Sequence, residues 1–327
     1  MKKITLSLLL PSLALLLSMH LQAQRRDIGY YAVGVQLNAI NYFGDLNPLT
    51  QYVSTDISAT RPNIGLHLIR KLSPRVHVQA NLNWGRITAS DFKAADINHE
   101  RHRFRHIRNA HFRNDIIELA GTINVDFFPS GGQYYRRKKW TPYAEIGIGM
   151  IHHNPKARTP QAFGGDWVNL QPLGTEGQGR PGYARRYSLF TPVVPLGAGI
   201  RWKLDDRWDL SFEAVFRYTF TDYLDDVSGN YADPDDLGDP LVIAMANRTL
   251  EPTGGVRFGT RDVDRITQTI NPLVNIIGSQ GNVYETVSGF GAKGDKRGDP
   301  GQRDIYLVTG FHLTYIVNVG LRCPRFK

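Results

Sequence analysis

The residues best suited to chemistry are carboxylates standing at alternate positions beside cations. Glu118, Asp126, Glu145, Asp209 and Glu213 share the polar face of alternating segments with Arg201, Lys203 and Arg217. Acids spaced this way would serve general acid-base work if two of them faced a substrate cleft. They would equally form an ion-pair network filling a narrow interior, since buried charges need partners. The network is the preferred reading, and no catalytic residue is assigned: no Ser-His-Asp arrangement, phosphate loop or dinucleotide fingerprint is present.

Two loops carry possible metal ligands. His102 and His106 have i,i+4 spacing within the basic stretch 99–108, but neither a cysteine partner nor an HExxH motif accompanies them. A solvated loop, or one touching lipopolysaccharide phosphates, is the expectation there. Asp222, Asp225 and Asp226 are the candidate Ca²⁺ ligands of an acidic loop whose spacing does not match an EF-hand. Turn and cap chemistry explains those acids as well, so no metal or other cofactor is assigned. Further on, Asp239-Pro240 before Leu241–Ala246 reads as an N-cap, an N1 proline and a short apolar helix, which makes that loop a folded lid. Tyr134, Tyr135, Arg136, Arg137, Lys138 and Lys139 form a candidate surface for an acidic partner, or a basic anchor at a membrane rim.

The elements that must position these residues are strands. Alternation of period two is read at about 30–43, 63–71, 75–87, 111–128, 140–151, 189–204, 207–223 and 303–318. Val76, Val78, Ala80, Leu82 and Trp84 oppose His77, Gln79, Asn81 and Asn83, and the pattern recurs in the fourth, seventh and eighth segments. The connections alternate as well. Those at about 44–62, 88–110, 152–188 and 224–302 are long, whereas Leu72-Ser73-Pro74, 129–139 and 204–207 are shorter. In an up-and-down sheet every second connection lies at the same end, so the long loops gather on one side, as in outer-membrane barrels. Aromatic residues near the strand ends (Trp84, Phe127, Phe128, Trp140, Trp202, Trp208, Phe220, Tyr223) suit the belts at the headgroup level.

The expectation is therefore an all-β fold: an eight-stranded antiparallel up-and-down transmembrane β-barrel with long extracellular loops. Its interior is filled by side chains rather than open. Pro195, within the sixth segment, calls for a bulge or a strand end above the membrane. Inward Gly147, Gly149, Gly197 and Gly199 leave space for larger neighbours.

Composition fits this compartment. Lys2 and Lys3 precede the apolar run Ile4–Leu17, and Leu21-Gln22-Ala23 offers a cut, so residues 1–23 read as a signal peptide and 24–327 as the mature barrel. No cysteine lies at the cut, and the single cysteine, Cys323, excludes an intrachain disulfide. The net charge of +9 becomes +7 when Lys2 and Lys3 leave with the signal. A basic exported chain implies anionic lipid and lipopolysaccharide as surroundings and makes nucleic acid an unsuitable partner. Mean hydropathy of −0.32 is compatible with a barrel, whose lipid face occupies alternate positions only.

Four segments resemble the PorG-like family of outer-membrane β-barrels found in Bacteroidetes, which includes a component of the type IX protein secretion machinery. They are Asn41-Tyr42-Phe43-Gly44-Asp45-Leu46-Asn47-Pro48, Phe112-Arg113-Asn114-Asp115-Ile116-Ile117-Glu118-Leu119, Thr221-Asp222-Tyr223-Leu224-Asp225-Asp226-Val227-Ser228, and Arg297-Gly298-Asp299 leading into Asp304-Ile305-Tyr306-Leu307. The resemblance spans the mature chain, and residues 221–228 are its most specific part. It implies a non-enzymatic barrel of the cell outer membrane that ties periplasmic secretion-ring proteins to that membrane. A small porin or a surface adhesin is the alternative from a different functional class.

Overall fold

The computed structural model describes residues 29–46, 59–130 and 134–317, without the side chain of Arg101. The expected signal peptide, most of the first long loop, Gln133 and the tail bearing Cys323 lie outside the described residues. Eight long strands make the barrel: β1 (Tyr31–Phe43), β2 (Arg61–Lys71), β3 (Val76–Ser90), β4 (His111–Asp126), β5 (Trp140–His152), β6 (Phe190–Lys203), β7 (Trp208–Thr219) and β8 (Ile305–Val317). Each pairs antiparallel with its sequence neighbours, and β8 returns to β1 through a ladder running from Tyr31↔Val317 to Phe43↔Ile305. The sheet has no free edge among its eight staves, so their backbone groups bond within the ring, as a bilayer requires.

The strands form because every second residue is apolar and must leave water. Along the membrane part of β3 His77, Gln79, Asn81 and Asn83 are buried, and Ala80, Leu82 and Trp84 are exposed. Leu37, Leu119 and Ile148 are 66%, 63% and 76% exposed on the outer surface, while Glu118, Asn124 and Asp126 are buried inside. A water-soluble sandwich would bury the first set. The inversion, apolar outside and polar inside around a closed cylinder, places the barrel in the outer membrane. Trp84, Phe190 and Phe220 end the apolar band on the long-loop side, and Phe127, Phe128, Trp140, Trp202 and Trp208 end it on the other.

Tight turns close one end. Leu72 and Ser73 N–H groups both donate to Val76 O at 3.0 Å, and Asp205 Oδ1 accepts from Arg207 N (2.6 Å) and Trp208 N (2.7 Å). Such Asx and Ser side chains mimic backbone turn partners.

Several boundaries differ from expectation. β3 continues to Ser90, so the second loop starts later than 88, and β7 stops at Thr219 rather than 223. Tyr223 consequently leaves the aromatic belt and stacks on Tyr187 in the lid, with ring centroids 4.6 Å apart. The third loop is not irregular throughout. Its short strands Pro155–Arg158 and Trp167–Asn169 continue the sheet beyond β4, with Asn114↔Pro155 and Arg113↔Lys156 in register. Pro195 needs neither a bulge nor a strand end. The β5–β6 ladder lapses between Ile146↔Leu196 and Gly149↔Val193 and resumes in the same register. The space beside Gly199 is taken by Tyr143, whose Cζ lies 2.6 Å from where a Cβ would stand.

The long loops fold together over the outer mouth. Ile40, Tyr42, Ile87, Phe112, Ile116, Ile151, Leu224, Val227 and Tyr306 form an apolar layer where barrel meets lid. Above it Ile107, Tyr231, Ile266, Val287 and Phe290 form a second core. The expected helix occurs at Pro240–Ala246, with the Asp239 carboxylate accepting from Leu241 N at 2.8 Å, and Val242, Met245 and Ala246 are buried.

Candidate functional site

The lumen is the first place to look for chemistry, because five acids converge there. Near the short-turn end Asp126 binds Lys71, and Arg201 Nη1 lies 3.3 Å from Asp126 Oδ1. In the middle His312 Nδ1 stands 3.1 Å from Glu213 Oε1, Tyr143 donates to Glu213, and Gln36 and Gln79 both donate to Asn81. Toward the lid Arg217 Nε reaches both oxygens of Glu118 at 3.0 and 3.1 Å, with Tyr306 donating to Glu118 at 2.6 Å. Arg217 Nη1 also lies 3.9 Å from Glu145.

This is the ion-pair network expected for Glu118, Asp126, Glu145, Asp209 and Glu213, with one correction. Lys203 joins no interior acid among the described residues. It sits at the rim, donating to Tyr135 O (2.6 Å) and Asp206 (2.7 Å), because β6 ends there. Two voids bordering the described lumen residues hold about 10 Å³ each, enough for at most a single water. Tyr306 and His312 come from the polar face of the eighth alternating segment, whereas Lys71 and His67 are additions that the structure makes. In β2 the alternation of Ile64, Leu66 and Leu68 with His67, Ile69 and Lys71 carries the signal for both additions.

At the outer mouth the acidic loop folds inward. The Tyr42 hydroxyl lies 2.6 Å from Asp225 Oδ2 and 2.7 Å from Asp304 Oδ1. It has a single hydrogen, so the second contact needs a proton from a carboxyl. Burial pushes both of these acids well above the usual carboxylate range, helped by repulsion from Asp304 and Asp45 at Asp225 and from Asp222 and Asp45 at Asp304. Asp226 accepts from Thr175 (2.6 Å) and Tyr187 (2.7 Å), and burial lifts it to about 6; burial likewise lifts Asp222 to about 7. Asp226 has a left-handed backbone (φ 69°), and its carboxylate meets different partners from that of Asp225, while both oxygens of Asp222 are buried with no hydrogen-bond partner among the described residues. No group of three His, Cys, Asp or Glu among the described residues, Asp222, Asp225 and Asp226 included, is arranged to hold a metal.

The stretch 99–108 corrects the expectation of a solvated loop. It is the helix Glu100–Arg108, and its end is buried structure. Arg108 grips both oxygens of Asp91 (2.8 and 2.9 Å) and donates to Arg297 O and Asp45 O. His106 Nδ1 lies 3.0 Å from Ala95 O, while His102 stacks on His99. Arg261 then caps the helix, donating to His106 O (3.0 Å) and Ile107 O (3.1 Å) as well as to Arg248, Thr249 and Glu251 carbonyls. Three separate loops are thus pinned together by arginine forks, which present several fixed donors at once.

On the periplasmic side the six-residue surface divides. Tyr134–Arg136 form a 3₁₀ turn. Arg137 points inward and binds Asp209 at 2.8 Å with 6% of its side chain exposed, so it seals the lumen floor and offers nothing to a partner. Lys138 lies over Phe128, its Nζ 4.7 Å from the ring centroid. Tyr135, Arg136, Lys138 and Lys139 are exposed, and Tyr134 is half-buried.

A family model described as a domain of unknown function (DUF6089) matches residues 6–159. No curated protein matches the chain. Among solved structures it is similar to Neisserial surface protein A, at 7% identity over 87% of this chain and 96% of that one (TM-score 0.35). It is also similar to Ail of Yersinia pestis, in complex with the heparin analogue sucrose octasulfate, at 7% identity over 88% and 99% (TM-score 0.34). A major outer membrane protein of Thermus thermophilus matches at 10% identity over 88% and 99% (TM-score 0.33). These likenesses are remote, and the membrane assignment rests on the barrel's own inverted surface.

Proposed function

We propose that this barrel is a non-enzymatic anchor of the outer membrane, holding an acidic periplasmic partner at its short turns. The observation that carries this reading is the sealed lumen. Paired charges block the cylinder from Asp126 to Glu118, Arg137 closes its floor, and the folded lid covers its mouth. A barrel without a path through it acts by its surfaces. On the periplasmic side Arg136, Lys138 and Lys139 stand exposed beside Tyr135, a combination suited to steering and gripping a negative surface.

The resemblance at residues 41–48, 112–119, 221–228 and 297–307 supports a more specific form. In that form the partners are periplasmic secretion-ring proteins and the process is type IX secretion. Replacing Arg136, Lys138 and Lys139 together by Glu should abolish recovery of periplasmic partners in a membrane pull-down while the barrel still assembles. Deleting the gene should trap secreted cargo; unimpaired secretion would remove the specific form. The porin alternative requires steady conductance across a planar bilayer, which the packed lumen should deny.

A further inference from the structure

A dense group of cations lies neither in the lumen nor at the periplasmic turn. It surrounds a cavity of about 360 Å³ on the outer wall, between the tops of β3 and β4 and the loops beyond them. Six cationic side chains line it (Arg61, Arg86, Lys93, Arg113, Arg158, Arg257), and among the described residues no carboxylate does. Trp167 stands among them, with the Arg113 guanidinium carbon 3.8 Å and that of Arg158 5.5 Å from its ring centroid. Arg86 is paired with Asp115 at 2.6 Å. The Nε–H groups of Arg113 and Arg158 are buried with no hydrogen-bond partner among the described residues. Like charges repel, so a cluster this dense in cations calls for an anion.

Its height identifies the kind of anion. Trp84↔Ile117 is the last lipid-facing pair of β3 and β4, and Arg86↔Asp115 and Thr88↔Arg113 follow on the same outward face. With a rise of about 3.3 Å per residue and a tilt of about 45°, these pairs lie roughly 5 and 10 Å above the aromatic belt. That is the headgroup layer on the side of the long loops. We propose that the cavity is a binding site for the phosphate monoester of an outer-leaflet lipid headgroup, gripped by Arg113 and Arg158 and flanked by Trp167. The site stands apart from the periplasmic docking face, and either reading survives failure of the other.

The test uses the full barrel in detergent, with lipid A, enzymatically dephosphorylated lipid A and inorganic phosphate as probes, read by native mass spectrometry and by tryptophan fluorescence. Lipid A should bind in a salt-sensitive manner and the dephosphorylated form at least tenfold more weakly. Inorganic phosphate should compete only at much higher concentration. The double change Arg113→Gln with Arg158→Gln should weaken lipid A binding at least tenfold. Lys93→Gln with Arg257→Gln, at exposed positions, should weaken it severalfold and guards against misfolding of the first variant. Equal binding of dephosphorylated lipid A, or unchanged binding in both variants, overturns the proposal. Inorganic phosphate binding as tightly as lipid A would overturn the lipid as its source.

Discussion

Replacing Arg217 by Met tests whether the lumen charges are coupled as the geometry demands. Arg217 makes the 3.0 and 3.1 Å contacts to Glu118 and approaches Glu145 at 3.9 Å. Without it Glu118 keeps the Tyr306 hydroxyl and the Asn83 amide, whereas Glu145 Oε2 already lacks a partner among the described residues. Removing one side of a buried pair costs about 3–5 kcal/mol. The remaining donors on Glu118 place the expected loss near the lower end, about 3 kcal/mol or two orders of magnitude in the unfolding equilibrium. Urea unfolding of the barrel in lipid vesicles, followed by tryptophan fluorescence and by the folded-band shift in gels, reads this directly. Adding Glu118→Gln and Glu145→Gln should restore most of the loss, because the uncompensated charges are then gone. A single-variant cost under about 1 kcal/mol, or a triple variant no more stable than the single one, would refute the coupling.

The lid offers three further tests. Arg108→Met should open it locally at a cost of about 3 kcal/mol, seen as protease cleavage of the long loops, and Arg108→Lys should not rescue it because one ammonium cannot replace the fork on Asp91. Asp239→Ala should lower amide protection of residues 240–246 by about 1 kcal/mol and leave the barrel's unfolding midpoint alone. Lid stability should also fall as pH rises. Asp222 and Asp226 are lifted from 3.8 to about 7 and about 6, so between pH 4 and 7 the closed lid keeps protons that the opened lid releases. Exchange protection of residues 221–228, corrected for intrinsic rates, should be greatest near pH 4 and level off above 7; a rise with pH would contradict the burial of these acids.

Much of the barrel is legible in the chain because a membrane strand writes both environments into one period-two pattern. Segments such as 140–151 and 189–204 fall within a residue or two of β5 and β6. Asp239-Pro240 is readable for the same reason: its chemistry is local. What escapes the sequence is pairing at a distance. Arg137 looks like its three cationic neighbours, and only the approach of Asp209, brought close by closure of the sheet, turns it inward. The arginines of the wall cavity sit on five separate elements, and no spacing along the chain announces that Arg86, Arg113, Arg158 and Arg257 share one space. Residues 99–108 mislead because charge suggests solvent, while Asp91 and two carbonyls wait at the far end of the helix.

The lumen charges pose a last physical question, since a packed apolar filling would be as stable or more so. Register supplies an answer. A one-residue slip moves every side chain of a strand to the opposite face. In β7 that slip would carry Asp209, Glu213 and Arg217 into lipid and bring Leu210, Phe212 and Phe216 inside. A cation near the bilayer midplane of a barrel costs about 2–4 kcal/mol, with acids costing less, so several such residues on one strand make the slipped state untenable. An apolar lumen would remove that penalty and let strands slide. Converting Asp209, Glu213 and Arg217 together to Leu, with compensating neutral partners at Arg137, His312 and Glu118, should therefore yield a barrel that inserts but shows several pairings of β7 with β8. Cysteine crosslinking across Leu210↔Leu313 and across the position one residue removed would read the two registers. A single, native crosslink in that variant would mean that the turns alone fix the register.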